Sequence, residues 1–196
     1  MKKIKIIIIS LCVLINTSII MAEEISEEQI KQQVGIWFGP VTPLPGTEIS
    51  DFLDTYLGGG GFYRIALPSN ELMTELGVSY SYYTSDTTAA LASTPLYAAL
   101  AYKLPFNLPV EFHAKAGVCA NILKVYPEKK YNTLPAFLGA LEMSFPAGKW
   151  VNIGLRSDYY FVYEKYLDPP GDAVNYKMIN GHFFNLGLMV NINLNR

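Results

Sequence analysis

The chain has 196 residues, a formal net charge of -2 and 51% hydrophobic residues. Charged residues make up only 16%, against about 25% in an ordinary soluble domain. Length and composition suit one domain, and the absence of a basic excess argues against a nucleic-acid partner.

Residues 1–22 have the layout of a secretory signal: Lys2, Lys3 and Lys5, an apolar run from Ile6 to Ile15, a polar break at Asn16, and Met21-Ala22 before Glu23-Glu24. Such a segment is excluded from the fold. Residues 23–32 are expected to form a short periplasmic segment and residues 33–196 the folded domain. Without the signal, Cys119 is the only cysteine, so no internal disulfide is expected.

From residue 33 the chain alternates between apolar and small or polar residues, the two-residue period of a β-strand with one greasy face. The first segment, residues 33–41, sets Val34, Ile36 and Phe38 on one face, although Trp37 and Val41 blur the pattern on the other. The second, 57–67, opens with Gly58 to Gly61 and sets Tyr63, Ile65 and Leu67 opposite Phe62, Arg64 and Ala66. The third, 72–82, sets Leu76, Val78 and Tyr80 against Glu75, Gly77 and Ser79. In the fourth, Leu96, Leu100 and Tyr102 oppose Ala99, Ala101 and Lys103, and in the fifth Phe112, Val118 and Ile122 oppose Glu111, His113 and Lys115. The sixth has Phe137, Leu141 and Phe145 against Ala140 and Glu142, and the seventh Ile153, Leu155 and Phe161 against Arg156 and Asp158. The last, ending at Arg196, carries Phe184, Leu186, Leu188, Val190, Ile192 and Leu194 against Asn and Gly.

These strands suit the roughly 9 to 11 residues that a tilted strand needs to cross a bilayer. A strand in lipid must have both backbone edges paired, so the chain must close on itself. The expected fold is all-β, an eight-stranded antiparallel up-and-down transmembrane barrel. Tight turns near Pro68, Asn107 and Gly148 alternate with longer connections expected over residues 42–56, 83–93, 124–133 and 164–181, as in barrels with short periplasmic turns and long outer loops. Within the first long connection, Ile49, Phe52, Leu53 and Tyr56 are spaced for a short helix over the mouth or in the interface.

On these features the sequence resembles the small outer-membrane barrels of Gram-negative bacteria, such as the transmembrane domain of outer-membrane protein A and porin-like relatives. The resemblance implies residence in the outer membrane, with its lipids and the barrel assembly machinery as partners and the outer loops free to bind an extracellular ligand. Such barrels usually end on an aromatic residue, whereas this chain ends Leu194-Asn195-Arg196.

Nine ionisable residues fall on the face opposite the hydrophobes: Arg64, Glu75, Lys103, Glu111, His113, Lys115, Glu142, Arg156 and Asp158. They are expected to form a structural polar network in the lumen, with Arg64 meeting Glu75, Glu142 meeting Arg156, and Lys103, Glu111, His113 and Lys115 forming a cluster. A proton or ion site at His113 is the sharper reading. Paired charges filling a narrow barrel are favoured. His182 stands on the lipid-facing side but lacks the His-x-Ser pattern of lipid A deacylases, so no catalytic residue is assigned. No metal or cofactor site is expected. Gly35-Ile36-Trp37 resembles the Gly-x-Trp of lipocalins, yet the polar face is too rich in Gly and Ala to cover a water-soluble surface. A structural or surface-binding role is favoured, ahead of a narrow porin-like channel and a lipid-modifying enzyme.

Overall fold

A computed structural model describes residues 31–68, 71–85, 90–127, 130–163 and 180–194. The expected signal segment, most of the expected segment over residues 23–32 and most of the last long connection lie outside the described residues. Eight strands follow in order: β1 (Gln32–Pro43), β2 (Tyr56–Ala66), β3 (Leu72–Thr84), β4 (Ala90–Lys103), β5 (Glu111–Tyr126), β6 (Lys130–Pro146), β7 (Val151–Val162) and β8 (Gly181–Asn193). Each pairs antiparallel with its neighbour, and β1 pairs with β8 to close the barrel. At the seam Val34 faces Ile192, Ile36 faces Val190 and Phe38 faces Leu188. No strand edge is left open, which is the condition for surviving in lipid.

The two faces are inverted relative to a water-soluble barrel. Phe38 is 61% exposed and Leu188 67% exposed, whereas Arg64 and Arg156 are buried inside. A lipocalin arrangement is therefore excluded. Trp37 and Val41, which blur the alternation of β1, point inward and are buried. Their room comes from the glycine run of β2. A Cβ on Gly60 would stand 2.8 Å from Trp37 Nε1 and 2.6 Å from the Val78 carbonyl.

The connections differ from the sequence expectation. The strict alternation of short and long fails because β3 and β4 stay paired up to Thr84 and Ala90, and β5 and β6 up to Val125 and Lys130. The third outer connection, residues 127–129, is thus shorter than the turn over residues 104–110 at the other end. Ser, Thr, Tyr and Lys look like loop residues when one greasy face is the criterion. Beyond the apolar band neither face needs to be greasy, and backbone pairing continues. The helix expected in the first outer connection is a single 3-10 turn, Glu48–Asp51. It buries Ile49 in the mouth, with Leu53 packed against the same cluster, and leaves Phe52 exposed. Tyr56 belongs to β2 instead.

Candidate functional site: the lumen

The middle of the lumen holds six ionised side chains from five strands: Arg64 on β2, Glu75 on β3, Lys115 on β5, Glu142 on β6, and Arg156 and Asp158 on β7. Small residues opposite them in the ladder leave them space. Lys115 faces Ala101 and Ala140, Glu75 faces Ala99, and Arg156 faces Gly187. Tyr97 crosses over Gly77, where an added Cβ would lie 2.3 Å from the ring.

Glu75 is the hub. It accepts from Arg64 Nε at 2.9 Å and from Arg64 Nη2, from Lys115 Nζ at 3.0 Å, from Arg156 Nη1 at 3.0 Å and from the Tyr97 hydroxyl at 3.0 Å. Glu142 accepts from Arg64 Nη2 at 2.8 Å, from Arg156 Nη1 at 3.4 Å and from Lys115 Nζ. Arg156 Nε also donates to both oxygens of Asp158, at 2.8 and 2.9 Å. The Phe62 ring packs against all three cations, 4.9 Å from Arg64, 5.2 Å from Lys115 and 5.0 Å from Arg156. Three positive groups thus meet three carboxylates, with no side chain in the set more than 1% exposed. Burial on this scale is tolerable only when pairing is complete on both sides.

The remaining candidates do not join this set. Lys103 and Glu111 pair with each other at 2.5 Å near the turn end of the barrel, where their side chains are 40% and 39% exposed. Lys115 reaches across to Glu75 and Glu142 rather than to Glu111. His113 is buried, and neither ring nitrogen has a hydrogen-bond partner among the described residues. The four-membered cluster around His113 therefore does not form. Lys115 has a stem long enough to reach the centre, where two carboxylates outbid a single one at the rim.

Sequence reasoning missed Tyr97, Phe62 and Gln33, whose amide oxygen accepts from Arg64 Nη1 at 3.2 Å. The inward parity of Tyr97 and Phe62 was a usable signal. It also missed the apolar plug above the network, where Val41, Ile49, Leu91, Leu123, Val162 and Phe183 are buried and the Tyr83 and Phe183 rings lie 4.8 Å apart. On the outside, His182 Nδ1 and the Tyr159 hydroxyl share a hydrogen bond at 2.7 Å. No group of three or more metal-ligating side chains occurs among the described residues.

No family model matches this sequence, and neither does any curated protein. Similarity to solved structures is clear at the level of fold. Neisserial surface protein A aligns with a TM-score of 0.54 and 13% identity over 84% of this chain and 97% of that one. The outer membrane protein OprG from Pseudomonas aeruginosa aligns with a TM-score of 0.54 and 12% identity over 83% of this chain and 95% of that one. The fold is the closed eight-stranded antiparallel barrel of small bacterial outer-membrane proteins.

Proposed function

We propose that this chain is an exported, integral outer-membrane protein in which the barrel is a sealed scaffold and the outer loops are the working surface. The observation that carries the reading is the charge balance of the buried network, three cations against three carboxylates. A balanced, paired set carries no net charge to draw an ion and leaves few of its donors and acceptors free for a solute. The apolar plug above it opposes the passage of water. Membrane location is supported by the uncharged apolar band of the outer face, and export by the layout of residues 1–22.

Two experiments test this reading. Fractionation with a carbonate wash, with electrophoresis of boiled and unboiled samples, checks location: the protein should stay with the membrane and migrate faster unboiled. Release into the soluble fraction without a mobility shift would contradict it. Purified protein in planar bilayers checks sealing, and steady unitary conductance would overturn it.

A narrow channel is the second reading, favoured by one observation. Trp37, His113, Asn121, Asn185 and Asn191 have buried polar atoms without a partner among the described residues, and such atoms are ordinarily bonded to internal water. A lipid-modifying enzyme is third. Its support is limited to His182 with Tyr159, and lipid A mass spectra from cells with and without the gene would reveal it.

A further inference from the structure

We infer that the outer flank of β3, β5 and β6 carries a binding site for the phosphate of an anionic membrane lipid, built around Lys124. The inference rests on the barrel spanning a bilayer, as proposed above.

Outward residues of β5 from Phe112 to Ile122 bear no charge, and the next outward residue is Lys124. That span is ten residue steps of about 3.3 Å, or roughly 25 Å along the membrane normal at the usual tilt, which is the height of the apolar band. Lys124 therefore stands two residue steps beyond the apolar band, at the level of lipid headgroups. Its neighbours are phenols. Tyr131 lies directly across the β5–β6 ladder, and the ammonium sits 5.0 Å from the Tyr131 ring centre and 4.6 Å from that of Tyr126. On the other side Lys124 faces Ala92, whose small side chain lets Tyr82 close over β4 to within 6.2 Å of Tyr126, and Tyr56 follows at 5.8 Å from Tyr82.

The result is an ammonium held between two ring faces, in a row of four tyrosines. No carboxylate among the described residues pairs with it, whereas the lumen cations are all paired. The rings face the ammonium and the Tyr126 and Tyr131 hydroxyls accept hydrogen bonds from it, so among the described residues its charge is met by neutral groups. A phosphate offers what remains unsatisfied: a charge to match the ammonium and oxygens to accept from phenol hydroxyls. On another flank, at the loop end, Tyr159, Phe161 and His182 pack together, and no lysine or arginine among the described residues stands over their rings.

Native mass spectrometry of the purified barrel, released from mixed micelles, tests this. The probes are phosphatidylglycerol, phosphatidylcholine and diphosphoryl lipid A, each at equal mole fraction. Lys124→Gln should lower the fraction of protein carrying either anionic lipid about fivefold and leave phosphatidylcholine unchanged. Lys124→Arg should restore it. The ranking of phosphatidylglycerol and lipid A on the unsubstituted protein then assigns the source of the phosphate. Equal retention by Lys124→Gln and the unsubstituted protein would overturn the site, as would an equal loss in Lys149→Gln beside Trp150, which would mean bulk charge alone. Unboiled electrophoresis of each variant separates these results from failure of the barrel itself. A folded, heat-modifiable Lys124→Gln that keeps its lipid refutes the site and spares the membrane reading.

Discussion

Replacing Glu75 by Gln tests the lumen network at its hub. The side chain is wholly buried and bonds Arg64, Lys115, Arg156 and Tyr97. Gln keeps the shape and removes the charge, so three buried cations would face two carboxylates. Stranding a buried charge in this way costs about 3 to 5 kcal/mol, or roughly two to four orders of magnitude in the folding equilibrium. The control is Glu111→Gln. Its partnership with Lys103 is as direct, at 2.5 Å, but sits where both side chains are about two-fifths exposed, so the expected loss is about 0 to 1 kcal/mol. Urea unfolding in liposomes, followed by tryptophan fluorescence and unboiled electrophoresis, measures both. Adding Lys115→Met to Glu75→Gln restores the balance at two against two, and should recover most of the lost stability. Equal losses in the two single variants, or no recovery in the double variant, would refute the claim that charge balance holds the lumen together.

Further outcomes follow from the packing. Gly60→Ala should hinder folding, because its Cβ would stand 2.6 Å from a backbone carbonyl, whereas Gly61→Ala, with no atom nearer than 3.7 Å, should be neutral or slightly stabilising; refolding yields into detergent compare them. Tyr97→Phe removes two bonds, to Glu75 and from Arg156, each 3.0 Å long, and should cost about 1 to 3 kcal/mol in the same urea assay. The Cys119 thiol faces the lumen and is buried, so a maleimide should label it in urea and spare it in the folded barrel.

Much of this was legible because a barrel in lipid enforces one rule at every residue. A charge on the greasy face is so costly that parity alone puts Arg64, Glu75, Lys115, Glu142, Arg156 and Asp158 on the inside. Cross-strand partners one turn apart, such as Arg64 with Glu75, follow from the hairpin register. Reach across the lumen does not. Lys115 joins Glu75 through space from a strand two places away in the sheet, and no periodicity encodes that distance. Likewise the second and third outer connections are shorter than the sequence pattern implies, because the two-faced pattern ends with the apolar band while backbone pairing continues to residues such as Ala90 and Lys130. Trp37 looked like noise in β1 until Gly60 opposite it explained the space it fills.

Closure of the sheet is the claim on which the lumen, its network and the lipid-facing band all depend. It is tested most directly by a disulfide across the β1–β8 seam, where Ile36 and Val190 are ladder partners 154 residues apart in sequence. With Cys12 and Cys119 replaced by Ser, Ile36→Cys with Val190→Cys should oxidise within one chain and change its mobility on a denaturing gel. Moving the second cysteine to Leu96, on β4, should give no intramolecular bond. Failure of the seam pair to cross-link in protein that is otherwise folded in membranes would contradict the closed barrel.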